Sequence, residues 1–135
     1  MIKELSIDSS RPGLHEFTRQ VAEIVRESGL REGLCTIFVR HTSASLTIQE
    51  NADLSAKRDL EAWIERLVPE RDELFTHTAE GPDDMPSHIK AALTSSSLSI
   101  PIVDGALALG TWQGIYLWEH RRGRRSRRVV IHLSE

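Results

Sequence analysis

Four of the six histidines stand among residues able to assist them chemically. His77 and His88 close the two ends of the segment His77-Thr78-Ala79-Glu80-Gly81-Pro82-Asp83-Asp84-Met85-Pro86-Ser87-His88, which also carries three carboxylates. Imidazole and carboxylate together form a ligand set for zinc or a similar divalent ion. Gly81, Pro82 and Pro86 fix the backbone between them, so such ligands need little further ordering. The spacing matches no standard zinc signature, and an ordered surface loop is the competing reading. Glu80 is placed to orient one of the histidines or to exchange a proton.

His41-Thr42-Ser43 directly follows the apolar run Leu34–Val39 and so sits at a strand end, where site residues are readily presented. The alternative is a turn whose hydroxyls satisfy the backbone. A Ser43 nucleophile activated by His41 is disfavoured, because no G-x-S-x-G elbow is present. His120 ends another strand-like run beside Glu119, a carboxylate able to orient it or to share a metal. His15, on the first predicted helix, and His132, in the last predicted strand, read as packed or solvated side chains.

Six of the 17 basic residues fall between Arg121 and Arg128, leaving 11 basic against 20 acidic residues elsewhere, a net of -9. An acidic body with one basic segment points to a local anion site rather than a broad phosphate footprint. Arginine grips phosphate bidentately. Arg121, Arg125 and Arg127 share a parity, and the expectation is that at least one faces the histidine pocket. A solvated hairpin tip is the alternative.

The elements that must hold these residues follow from periodicity. A strand is expected around Ile2, Leu5 and Ile7. A helix capped by Ser9 or Ser10, with Pro12 in its first turn, is expected to carry Leu14, Phe17, Val21, Ile24 and Val25 and to end at Gly29. Strands follow at Leu34–Val39 and near Leu46–Gln49, then a helix from about Asp53 to Leu67 with Leu60, Trp63, Ile64 and Leu67 as its stripe. Pro86 opens a third helix containing His88. Leu98, Ile100 and Ile102 alternate, Asp104-Gly105 turns the chain toward Leu107 and Leu109, and Ile115–Trp118 and Val129–Leu133 form the last strands. The glycines flanking Thr111-Trp112-Gln113 indicate close backbone approach. Seven or eight strands with three helices predict a single α+β domain, residues 1–135, with a mixed or antiparallel sheet.

The chain is 39% hydrophobic and 27% charged, as soluble globular domains are. Its one cysteine, Cys35, permits no intrachain disulfide, and no run approaches the roughly 20 apolar residues of a membrane span. A cytoplasmic protein with no membrane partner is expected.

Three long segments resemble the signatures of the YjbQ family, in order and across nearly the whole chain. They are His41-Thr42-Ser43-Ala44-Ser45-Leu46-Thr47-Ile48-Gln49-Glu50-Asn51-Ala52-Asp53, the segment from His77 through Lys90, and Gly110-Thr111-Trp112-Gln113-Gly114-Ile115-Tyr116-Leu117 with Glu119-His120-Arg121. Gln49 stands where the family commonly has Asn and Leu54 where it has Pro, and the turn after His120 is unusually rich in arginine. The resemblance implies an α+β fold, a homotrimer and a secondary thiamine-phosphate synthase activity. That reaction joins hydroxymethylpyrimidine diphosphate to thiazole phosphate and releases pyrophosphate. On this reading a divalent metal, zinc or magnesium, is held by His77, His88 and His120. Glu80 and His41 are the catalytic pair, and Thr42, Ser43, Arg121, Arg125 and Arg127 bind substrate or anion. The alternatives are a nucleotide or RNA binding module and a non-enzymatic oligomer. An aromatic content of 5% and the acidic body oppose nucleic acid.

Overall fold

The computed structural model describes all residues from 1 to 135. In chain order the elements are β1 (Ile2–Ser9), β2 (Gly13–Glu16), α1 (Thr18–Ser28), β3 (Gly33–Val39), β4 (Ala44–Glu50), α2 (Leu54–Leu67), α3 (Asp84–Leu93), β5 (Ser97–Val103), β6 (Ala106–Leu107), β7 (Gln113–Glu119) and β8 (Arg125–Ser134). The strands form two antiparallel sheets, one ordered β1-β8-β3-β5-β6 and the other β2-β7-β4. The fold is α+β, with eight strands and three helices, as expected.

β7 explains the layering. Ile115 and Leu117 enter the main core, where Val21 and Val25 of α1 meet Cys35, Ile37, Val129 and Ile131 of the larger sheet. Tyr116 and Trp118 point the other way and pack with Leu14 and Ile64. The smaller sheet is thus covered on both faces, which accounts for the unbroken apolar run in β7. At its entrance, a Cβ on Gly114 would meet only side-chain atoms, Glu16 Oε2 at 2.6 Å and Asn51 Cβ at 3.0 Å, rather than the backbone approach expected there.

One expectation is corrected at the N-terminus. No helix begins near Pro12: β1 runs to Ser9, Gly13–Glu16 form β2, and α1 starts at Thr18. His15 therefore lies on a strand, where its Nε2 is 2.8 Å from the Arg11 carbonyl oxygen. α2 spans the expected residues, and the Asp53 side chain caps it by accepting from the Ser55 N–H at 2.9 Å. Of the expected stripe, however, only Ile64 is buried and Leu60 half-buried, while Trp63 and Leu67 are 46% and 49% exposed. α3 starts two residues ahead of Pro86, at Asp84. Asp104 and Gly105 take φ of 52° and 82°, the paired positive values of the tight hairpin turn between β5 and β6. Beyond it only Ala106–Leu107 pair. No helix is long and apolar enough to cross a membrane.

Candidate metal centre

The first turn of α3 and the segment before it build the densest group of ligating atoms. Asp84 opens the helix, and His88 lies one turn later on the same face. Asp84 Oδ2 is 2.6 Å from His77 Nε2 and 3.0 Å from His88 Nε2. One ligand atom from each of His77, Asp84 and His88 falls within 4.8 Å of the others. The Asp84 side chain is buried, His88 is half-buried and His77 is exposed.

The tautomer of His88 follows from its other neighbour. Its Nδ1 lies 2.9 Å from the carbonyl oxygen of Thr42, which can only accept, so Nδ1 carries the proton. A neutral His88 then turns the Nε2 lone pair toward the Asp84 carboxylate. Two acceptors facing each other at 3.0 Å need a proton or a cation between them. This is the outer-partner arrangement typical of a metal-bound histidine, one nitrogen on a carbonyl and the other free to ligate. Two histidines and one carboxylate with further positions open suit zinc or another divalent transition metal. Magnesium prefers an all-oxygen shell and fits these residues less well.

Arg121 locks the remaining carboxylate oxygens. Its Nη1 donates to Asp84 Oδ1 at 2.8 Å, and its Nε and Nη2 each reach an oxygen of Asp83 at 3.3 Å. Nη2 also donates to the Glu80 carbonyl at 3.0 Å, and the Arg122 N–H donates to Asp83 at 2.9 Å. Burial works against the Asp84 carboxylate, but the hydrogen bond to His77, with Glu80 and His88, outweighs it and holds the group down at about 2. Asp84 is therefore an anion at neutral pH.

Glu80 is exposed, with Oε2 3.6 Å from His77 Nε2. His41 accepts the Arg128 N–H at Nε2 (2.8 Å), and its Nδ1 faces Arg127 Nη1 at 3.4 Å. Burial and the neighbouring Arg127 lower its pKa, so it is neutral and committed at Nε2. Ser43 offers its carbonyl to Arg127.

His120 is separate from the trio in this chain. It is buried, with Nε2 2.9 Å from Ser45 Oγ and its ring 5.7 Å from that of Trp118. Burial, reinforced by Lys90, pushes its pKa down to about 3. Arg127 is buried against Glu119: its Nε donates to Oε1 at 2.7 Å, and the Ser9 hydroxyl donates to the same oxygen. Burial would raise Glu119, but Arg127 and Ser9 outweigh it and keep the carboxylate ionised. Arg125 is half-buried, and its buried Nε has no hydrogen-bond partner. Arg121, Arg122 and Arg127 are thus all engaged by carboxylates.

Asp84 is the residue that sequence reasoning passed over. Its signal was the four-residue spacing to His88, visible only if the helix is started at Asp84 rather than Pro86.

Beside His88 lies an open depression of about 630 Å³ between the start of β4 and the second half of α3. His41 and His88 both line it, with Ala44, Ala91 and Ala92.

The UPF0047 protein YjbQ-like family model matches residues 3–135. The chain belongs to the YjbQ family. It is 52% identical over 130 residues to a UPF0047 protein of Synechocystis sp., covering 96% of this chain and 88% of the relative. It is 40% identical to the UPF0047 protein YjbQ of Escherichia coli O157:H7, covering 98% of this chain and 96% of that one. A crystal structure of an uncharacterised YjbQ/UPF0047 protein from Clostridium acetobutylicum superposes with a TM-score of 0.89 at 38% identity, covering 98% and 99% of the two chains. A conserved hypothetical protein from Thermus thermophilus gives 0.87 at 32%, covering 98% and 99%.

Proposed function

We propose that this YjbQ-family chain is a metal-assisted enzyme acting on a phosphorylated small molecule. The carrying observation is the His77–Asp84–His88 group, whose His88 nitrogen is presented to a carboxylate with its proton committed elsewhere. The specific reaction we propose is the secondary thiamine-phosphate synthase reaction implied by the family resemblance. In it a C–N bond to the thiazole ring forms as the C–O bond to the diphosphate breaks and pyrophosphate leaves. A divalent ion held here would supply Lewis acidity and offset the charge on the departing pyrophosphate. His77, Asp84 and His88 would hold the ion, Arg121 orients Asp84, and Glu80 stands beside His77 to accept or return a proton.

The reading is tested by metal analysis of the protein purified without chelator, paired with pyrophosphate release from the two substrates. Bound divalent metal and activity lost on chelation support it. Full activity in strong chelator, or no metal uptake, overturns it.

We further propose self-association, with the trimer implied by the family resemblance. The outer face of the larger sheet carries exposed Ile2, Leu34, Phe38 and Val103, apolar area that a partner copy would cover. Light scattering at micromolar concentration decides it, and a Phe38→Glu variant is expected to dissociate.

A further inference from the structure

The depression beside His88 has a composition unlike the surface around it. The chain is 27% charged, yet no lysine, arginine, aspartate or glutamate lines this space. Its walls are Ala44 from β4 and Ala91 and Ala92 from α3, closed by Thr94, with His41 along one side. His41 is held neutral by burial and by Arg127, so it adds no charge. His88 is shared: its ring lines the depression while its Nε2 belongs to the ligand group. The space therefore abuts the metal centre at the His88 ring, with His77 and Asp84 outside its walls, and its size is that of an ordinary small-ligand site.

We propose that this depression is the recognition subsite for the uncharged body of a small ligand whose oxyanion head sits on the metal at the His77–Asp84–His88 group. The inference rests on the metal reading of that group. An oxyanion is the natural occupant of an open position on a divalent ion. A second charged group on the ligand's body would find no counter-charge among Ala44, Ala91, Ala92 and Thr94, and burying it there would be costly. The alanines leave room for a flat or slender apolar body, and larger side chains at those positions would fill that room. Phosphate and carboxylate heads share the required chemistry.

The test uses zinc-loaded protein and calorimetry with four probes: inorganic phosphate, phenyl phosphate, acetate and benzoate. The expected result is that phenyl phosphate binds at least tenfold more tightly than inorganic phosphate, or benzoate than acetate. Whichever pair shows the gain identifies the head group. Ala92 is exposed, so Ala92→Leu fills the space without disturbing the core, and Ala91→Leu fills it from the half-buried position. Either variant should remove most of the gain while leaving zinc and inorganic phosphate affinity unchanged. Equal affinities within both pairs, or a gain untouched by both variants, overturns the subsite while the metal reading stands. Failure of the parent protein to take up zinc overturns both.

Discussion

His88 Nδ1 donates to the carbonyl oxygen of Thr42, and that one hydrogen bond determines what the opposite nitrogen of the ring offers to Asp84. It joins the start of the first family signature to the second, so the loop after β3 sets the chemistry of α3. Because the acceptor is backbone, the tautomer is independent of the side chain at position 42.

Asp84→Asn should therefore be the most informative single change at the site. It preserves shape but removes the anion between the two imidazoles. Loss of an outer partner typically lowers metal affinity roughly 10–100-fold, and loss of a ligand should exceed that. Competition against a chromogenic chelator measures it. Unchanged zinc affinity in Asp84→Asn would rule out Asp84 as a ligand.

Arg121→Met should destabilise the protein in the metal-free state by about 2–4 kcal/mol. The change strands Asp83 and Asp84, whose side chains are only 12% and 3% exposed. Adding zinc should recover part of that loss in the variant, because the ion replaces a cation beside Asp84. Chemical denaturation with and without zinc gives both numbers. Equal stability of variant and parent would mean that Arg121 only decorates the surface.

Glu119 and Arg127 form the buried ion pair of the core margin, with side chains 0% and 6% exposed. Glu119→Gln alone should cost about 3–5 kcal/mol, since it leaves the guanidinium buried without its counter-charge. Replacing both residues, as Glu119→Leu with Arg127→Met, should cost less than either single change. A double-mutant cycle in urea measures the difference, and simple additivity would contradict the pairing.

The contrast between Arg121 and Arg127 and their sequence reading shows where the chain was legible. The strand at Leu34–Val39, the alternation of β5 and the extent of α2 are legible because each depends on local spacing, whereas Trp63 and Leu67, expected in the buried stripe of α2, lie exposed. The first helix starts later than its spacing indicates because Leu14 falls at a helical interval from Phe17 and Val21 while lying on β2. Leu14 packs with Ile64 and Trp118, whereas Phe17, the residue that caps α1, and Val21 within that helix belong to the main core. His77 and His88 could be picked out because their loop is rich in ligand types. The partners of the arginines could not: Arg121 meets Asp83 and Asp84, and Arg122 meets Glu70, across separations that only the fold closes. Three arginines of the basic run thus meet carboxylates, whereas the buried Nε of Arg125 has no partner.

His120 makes the pH dependence of stability specific. In the fold, burial holds its pKa near 3, against 6.5 as the ordinary value, so the native chain keeps it neutral while the unfolded chain takes up a proton. The unfolded state therefore binds more protons than the native state between those two values, and stability must fall as pH drops through that window. Above pH 6.5 the residue contributes no slope. The limiting slope is about 1.4 kcal/mol per pH unit, and the whole window is worth roughly 5 kcal/mol at most. Asp84 and Glu119, both depressed, act in the same direction, but only once the pH approaches the ordinary carboxylate range. Between pH 6.5 and 5 the slope therefore belongs to histidine, with His41, also lowered, as the second contributor. His120→Asn retains a side-chain partner for Ser45 but does not titrate. Urea midpoints measured from pH 7.5 to 5 should decline steeply in the parent and distinctly less in His120→Asn. Parallel curves for the two proteins would show that the His120 proton is not excluded by folding, and that the imidazole buried beside Trp118 is solvated enough to charge.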